Sequence, residues 1–403
     1  MTVANRGSKE STSRNAGIKD INWLNVTFLS LGAGAVYLIP YLRNTFYDPM
    51  RHALDVTHTQ LGIIQGFFGL LMLICYFPGG LLADRFSAPK LLFISFLGVG
   101  LGGFYFSTFP SFTMTIILHI WFGIATTLTF WAAFIKAQRA SAPPEAQAKV
   151  FGFTEAGRRV VSTIASLTGA WLLTRWADST MGLQAVLYFY STLMIVVAFL
   201  VLFFFKEDKR FVDADQKTAV KMGDVAKVMK MPAVWLNALI IMSIYFAYRN
   251  QDIMTPYTTN IGGLSAAMGA TIATIRYYGA APVGAVFGGI LGDRIKPSAA
   301  MILGALTVLI ASLLFIIVPG RPATIIFVVA NLMIFMTAHY MMRSLFYALL
   351  EEGKVPLHYT GVATGIIATL GYSGDFIAPV YQGYFLDRFP GQTGYNYIFA
   401  TSI

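Results

Sequence analysis

Long apolar runs constrain this 403-residue chain more than any other feature. They fall at 22–46, 60–83, 90–109, 112–137, 149–174, 182–205, 232–256, 263–291, 298–318, 323–349, 358–386 and 394–403. Most reach the ~20 residues that an α-helix needs to cross the hydrocarbon of a bilayer. In lipid every backbone N–H and C=O must be satisfied within the protein, so such runs fold as helices. A transmembrane barrel would alternate polar and apolar residues in strands of ~10. The last run holds ten residues, about 15 Å of helix and too short to cross, which reads as a truncation. The expected fold is an all-α polytopic membrane protein of twelve helices, the last one truncated.

Charged residues make up 12% of the chain, about half the share usual in a soluble domain. That excludes a soluble enzyme, a disordered protein and a nucleic-acid binder, despite the net charge of +10. The charge has a different origin. With the N-terminus placed in the cytoplasm, cytoplasmic segments hold 19 of the 29 Lys and Arg. These are Arg6, Lys9, Arg14, Lys19, Arg85, Lys90, Lys136, Arg139, Lys149, the run from Lys206 to Lys230, Arg294, Lys296 and Lys354. The outer loops hold four, Arg51, Arg175, Arg321 and Arg388. That asymmetry orients the chain in a plasma (inner) membrane, N-terminus inside. Residues 1–20 are polar, lack the apolar core of a signal peptide, and read as a cytoplasmic tail. The single cysteine, Cys75, excludes an intrachain disulfide and a cysteine metal site.

The longest polar connection, 206–231, divides the chain into an N-terminal half (21–205) and a C-terminal half (232–403). A repeat supports the division. Residues 79–86 read GGLLADRF and residues 288–295 read GGILGDRI, identical at five of eight positions with an offset of 209. Each copy follows the second span of its half. Repeats of this kind build many secondary transporters. The motif built on Gly80, Asp84 and Arg85, with Lys90 downstream, resembles the loop 2–3 signature of the major facilitator superfamily. Gly289, Asp293 and Arg294 resemble its second-half copy. The resemblance spans the whole chain, although Ser87 and Ala88 stand where the family often has Gly and a basic residue. It implies twelve helices in two halves related by a pseudo-twofold axis. It also gives these residues gating and structural roles. Glycine allows close helix approach, and an Asp and an Arg at a helix end can pair or cap a neighbour.

Ionisable residues inside spans are expensive and mark functional positions by default. They are Arg43, Glu155, Arg158, Arg159, Arg249, Asp252, Arg276 and Asp375, five positive and three negative. Arg43 and Arg249 lie 206 apart, near the repeat offset, in spans one and seven. In the superfamily fold those spans face each other, so the two guanidinium groups would converge on one anion, for which Arg is well shaped. This resembles the organophosphate:phosphate antiporter branch, although that branch has His on span five where this chain has Arg158. Arg43, Arg249, Arg158, Arg276 and Tyr248 are the expected substrate ligands. Local pairing is the alternative, because Glu155 with Arg158 and Arg159, and Arg249 with Asp252, stand at helical pairing distance. Glu155 and Asp375 are proton-coupling candidates, since a carboxyl in a low-dielectric cavity can carry a proton. For Asp375, beside Gly371 and Gly374, a capping role at a helix break competes. Of the two span histidines, His119 and His339, the latter stands one turn from Arg343 and is the better placed to reach a cavity.

The expected function is secondary active transport of a small organic anion, such as a sugar phosphate or carboxylate, by alternating access. The alternatives are a drug or cation exporter and a transporter-like sensor. Expected partners are the anion, a coupling proton or phosphate, and the lipid bilayer, with the protein a monomer and no nucleic acid bound. Nothing points to catalysis, a cofactor or a metal, and no Walker pattern supports ATP-driven pumping.

Overall fold

A computed structural model describes residues 21–143, 146–206, 222–318, 320–356 and 359–403. The tail 1–20 and most of the 206–231 connection lie outside those residues. Among the described residues there are helices and no strands. The helices are α1 (Trp23–Ala35), α2 (His58–Arg85), α3 (Ala88–Phe106), α4 (Phe112–Arg139), α5 (Gln147–Leu173) and α6 (Ser179–Phe204). A short helix, Met222–Met229, precedes α7 (Pro232–Arg249). Then come α8 (Ala266–Thr274 continuing as Ala280–Ile295), α9 (Pro297–Ile317), α10 (Ile325–Leu345), α11 (Thr360–Gly371 and Gly374–Arg388) and α12 (Gln392–Ala400).

The same pairs of helices pack in each set of six. The first packs on the fifth, the second on the fourth and the third on the sixth: α1–α5, α2–α4 and α3–α6, then α7–α11, α8–α10 and α9–α12. Further contacts join the sets, chiefly α2 with α11 and α5 with α8. Large apolar side chains such as Phe203, Ile317 and Ile326 are about 70% exposed on the rim, as suits a surface facing hydrocarbon rather than water.

Among the described residues, six helices have both the length and the hydropathy to cross a membrane: the first part of α2, α3, α4, α6, α9 and α10. Several others are broken or charged where the cavity described below needs them to be. The run at 22–46 leaves α1 after Ala35 and resumes as short helices at Leu42–Thr45 and Tyr47–Ala53. Pro40 stands in that break, and a proline has no N–H to give and disfavours helix at the residue before it. Beyond Arg249, α7 tightens into a 3-10 turn at Asn250–Ile253. α8 widens into π turns at Ile275–Gly279, a distortion common at functional positions. α11 breaks between Gly371 and Gly374, which places Asp375 in the first turn of its second segment.

The α2–α11 contact is a close seam at one end of the molecule. Gly62, Gly66 and Gly69 share one face of α2, and a Cβ on any of them would lie at or within 3.0 Å of α11 backbone atoms of Pro379, Phe376 or Asp375. Small residues allow such approach. Asp387 at the end of α11 accepts the first N–H groups of α2, from His58 at 3.0 Å and Thr59 at 2.7 Å. At the same end Thr255 Oγ1 donates to the carbonyl of Asn44 at 2.7 Å, and Thr259 Oγ1 to Asp48 at 2.7 Å. Ser166 of α5 meets Thr274 of α8 at 2.7 Å.

The repeated loop motif departs from expectation in detail. Gly80 and Gly289 have open space where a Cβ would stand. Their neighbours make the close approaches: Gly79 to the carbonyls of Thr127 and Leu128 in α4, and Gly288 to Ser344 and Met341 in α10. The position one residue earlier is the one facing the neighbouring helix. Asp84, Arg85, Asp293 and Arg294 are exposed, and no ion pair among the described residues holds them. Lys136 of α4 does the capping instead, donating to the carbonyls of Ala83 at 2.8 Å and Phe86 at 3.1 Å.

Candidate functional site

Between the two sets of helices lies a cavity of about 930 Å³. Its walls come from the segment 37–46 that follows α1 and from α2, α4, α5, α6, α7, α8, α10 and α11. The seam at one end forms its floor. Thr364, Gly365 and Val225 line it toward the other end, where it opens. Eleven tyrosines line it, together with four arginines (Arg158, Arg159, Arg249 and Arg343) and one carboxylate, Asp375.

Arg249 is the centre of the site. It stands at the last residue of α7, and the 3-10 turn that follows brings Asp252 back beneath it. Its Nη2 lies 2.6 Å from Asp252 Oδ2, and its Nε lies 3.2 Å from Asp375 Oδ1. The helix break in α11 is what lets Asp375 reach it. Both carboxylates have further partners. Tyr245 donates to Asp375 at 3.0 Å, Gln251 to Asp252 at 2.7 Å, and the Tyr277 hydroxyl also donates to Asp252. The guanidinium faces the ring of Tyr41, 5.5 Å from its centroid. A cation so deep in the protein persists because it is paired with two carboxylates.

Glu155 lies off the cavity wall and gathers two arginines. Arg158 binds it in a fork at 2.8 and 2.7 Å, and Arg159 binds it at 3.0 Å. The π turn of α8 leaves the Tyr277 carbonyl available to side chains, and it accepts from Tyr340 at 3.0 Å and from Arg159 at 3.4 Å. The local pairs that helical spacing allowed therefore form, while Arg158, Arg159 and Arg249 still line the cavity.

Two expected ligands stand elsewhere. Arg43 does not converge with Arg249 on the cavity. It is 1% exposed, lies on the ring of Tyr47 and donates to Gln382 Oε1 at 3.2 Å. The break at Pro40 ends the helix before Arg43, so the phase that would have aimed it inward is lost. Gln382 in turn donates to the carbonyl of Arg249 at 2.9 Å, which places Arg43 one layer behind the wall. Arg276 is fully buried in the π turn, donating to the Asn44 carbonyl and to Thr255 at 3.3 Å each. It belongs to the floor. His339 does not reach the cavity either. Its Nδ1 bonds the carbonyl of Phe335 at 2.8 Å within its own helix, and His119 does the same with Thr115 at 2.9 Å. Tyr248 and Asp375 do line the cavity.

Sequence reasoning left Arg343 out of the site. A signal was present: Tyr340, Arg343 and Tyr347 are spaced by three and four, which puts them on one helical face, and all three line the cavity. Gln382 was also missed. A neutral amide inside an apolar run carries no charge signal.

The sequence model of the Major Facilitator Superfamily matches residues 27–379. The inner membrane protein YihN of Escherichia coli (strain K12) is 26% identical over 383 residues, covering 94% of this chain and 91% of YihN. The inner membrane protein YqcE of the same organism is 26% identical over 383 residues, with 93% and 89% covered. Among solved structures, the nucleoside transporter NupG is similar with a TM-score of 0.73 at 13% identity, covering 94% of this chain and 96% of NupG. A bacterial homologue of the human lysosomal transporter Spinster, inward-facing and unoccupied, has a TM-score of 0.69 at 16% identity, with 91% and 81% covered. At such identities these structures speak to the fold alone. With the family match over most of its length, the cavity between two six-helix sets and the shared packing pattern, this chain belongs to the Major Facilitator Superfamily, a multi-pass membrane transporter rather than an enzyme.

Proposed function

We propose that the protein is a secondary transporter of a small organic anion, working by alternating access around the central cavity. The observation that carries this reading is the composition of the wall: four guanidinium groups face the cavity against one carboxylate, Asp375. A drug or cation exporter needs the reverse balance. Arg offers paired donors to a carboxylate, sulfonate or phosphate, and in a low-dielectric cavity those contacts are strong.

With the basic loops on the cytoplasmic side, the N-terminus and the open end of the cavity face the cytoplasm and the α2–α11 seam closes the outside. The domain division at 206–231 gives the two bodies that rock. Exchange and proton symport both fit this frame. Of the two carboxylates suited to carry a proton, Asp375 lines the cavity and Glu155 does not, which favours Asp375. The organophosphate:phosphate antiporter arrangement requires an Arg of span one in the cavity. Arg43 does not line it, so the reading stays at the level of organic anion.

The test is ligand-dependent stabilisation followed by flux. A ligand at about 100 times its dissociation constant stabilises its protein by about 2.7 kcal/mol. Carboxylates, sulfonates or sugar phosphates should raise the melting temperature of the purified protein and show counterflow in proteoliposomes. Arg388→Gln, on the exposed outer end, should leave both unchanged. Stabilisation by lipophilic cations alone would overturn the reading, and binding without flux would make the protein a sensor.

A further inference from the structure

We infer that Arg343, not Arg249, anchors the anion, and that the cavity selects a polyhydroxylated monoanion of the sugar-acid type. The inference rests on the organic-anion reading above and narrows it. Its first support is the distribution of charge. Arg249 is already held by two carboxylates, Asp252 and Asp375. Arg158 and Arg159 share Glu155. Arg343 is exposed to the cavity and makes no ion pair among the described residues. Its guanidinium lies over an aromatic face, the ring of Tyr248 at 5.8 Å. The first group sums to −1, the second to +1, and Arg343 adds +1. With Asp375 ionised, and with Arg43 and Arg276 outside the cavity lining, one net positive charge is left facing a ligand, and a monoanion neutralises it. A dianion would leave a surplus negative charge in the site.

The second support is the tyrosine wall. Two hydroxyl pairs in it, Tyr248–Tyr340 and Tyr347–Tyr372, meet at 3.4 Å, longer than an ordinary O–H···O bond. The hydroxyls of Tyr248, Tyr347 and Tyr372 therefore keep capacity to donate to or accept from a ligand, while that of Tyr340, which donates to the Tyr277 carbonyl, keeps capacity to accept. Tyr248 lies beneath Arg343, and Tyr340 and Tyr347 flank it in sequence on the same face. A tyrosine pairs an apolar ring face with a hydroxyl tip, which matches the alternating C–H faces and hydroxyl edges of a sugar ring. A cavity of about 930 Å³ has room for one such ring with water around it. The geometry thus places an anion fork at Arg343, with hydroxyl and ring contacts spread around it.

Binding of four probes to the purified full-length protein at about pH 7.5 tests the inference. Glucuronate is a polyhydroxylated monoanion. Glucose 6-phosphate is mostly a dianion there, its second pKa being about 6. Glucose has no charge, and hexanoate has no hydroxyls. Glucuronate should bind at least about tenfold more tightly than the other three, the scale of one charge-assisted hydrogen bond. Arg343→Gln should weaken glucuronate by about tenfold or more, and Arg343→Lys, which keeps the charge but loses the planar fork, should recover part of that loss. If Arg343→Gln does not fold, Arg343→Lys and the probe ranking of the unmodified protein still decide. Equal or tighter binding of glucose 6-phosphate, equal binding of hexanoate, or an Arg343→Gln variant that binds glucuronate normally would each overturn this inference while leaving the organic-anion reading in place. Failure of every anionic probe, with lipophilic cations binding instead, would overturn the organic-anion reading itself.

Discussion

Asp375 meets Arg249 at 3.2 Å, and that contact joins α7 to the second segment of α11 at the bottom of the cavity. The pair exists because α11 breaks between Gly371 and Gly374. Gly374 itself packs against Tyr245 and Arg249, with a Cβ there reaching Tyr245 at 3.2 Å. The charge cluster and the helix break are one feature of the fold.

Removing the cation should expose this dependence. Arg249→Gln leaves Asp252 and Asp375 facing each other without their shared counter-charge. Breaking one side of a buried pair costs about 3–5 kcal/mol, so the melting temperature should fall steeply. Adding Asp375→Asn should recover part of the loss, because it removes one stranded charge. A double variant no more stable than the single one would show that the pair is not what holds this region.

Gln382 offers a second case. It gives Arg43 its hydrogen bond and also reaches the carbonyl of Arg249 and Asn250 Oδ1. Arg43 Nε and Nη1 make no hydrogen bond among the described residues. Gln382→Leu should therefore cost about 2–4 kcal/mol by leaving a buried charge and a buried carbonyl unpaired. Arg43→Met in that background should restore stability, because it removes the stranded charge. Arg43→Met alone should shift ligand affinity less than about threefold, since Arg43 stands behind the cavity wall. A large loss of affinity would return Arg43 to the binding site.

The α2–α11 seam predicts how the transporter can be held open on its far side. Gly69→Val puts a branched side chain against the carbonyl of Asp375, and overpacking of that kind costs about 1–3 kcal/mol. The closed seam should lose population by at least about fivefold. In a Cys75→Ser background, Thr45→Cys near the cavity floor reports on this through labelling with a membrane-impermeant maleimide added outside. Labelling should rise with Gly69→Val. An unchanged rate would mean that the seam does not gate access.

Asp387 should act on the same equilibrium more gently. It accepts two backbone N–H groups at the start of α2 and the Thr59 hydroxyl at 2.5 Å. Loss of such a cap costs about 1 kcal/mol. Asp387→Ala should raise outside labelling of the same cysteine about fivefold, and Gly69→Val should do so at least as strongly. A decrease on Asp387→Ala would place the cap in the opposite state.

Much of this was legible in the chain. Apolar runs of membrane length leave helices as the available answer, and the copies at 79–86 and 288–295 announced a repeat. Glu155 with Arg158 and Arg159 was readable because partners three and four apart share a helical face. Asp375 beside two glycines pointed to a break. The error over Arg43 was one of phase. Extrapolating a continuous helix through Pro40 aims residue 43 at the cavity, but the helix has already ended at Ala35. Arg343 was not among the expected ligands, yet it lines the cavity beside Tyr340 and Tyr347.

The sequence by itself determined the environment, the helical class, the repeat and the pool of charged and aromatic residues available to a site. Those properties follow from backbone hydrogen bonding in lipid and from local spacing, which act within one run. Tertiary structure decided which charges neutralise one another and which are left over. Asp375 reaches Arg249 across 126 residues of chain, Gln382 links Arg43 to the wall from another helix, and Arg343 faces the cavity with no carboxylate partner among the described residues. Pairing between distant segments depends on helix breaks, rotation and seam contacts, none of which leaves a periodic trace in the chain.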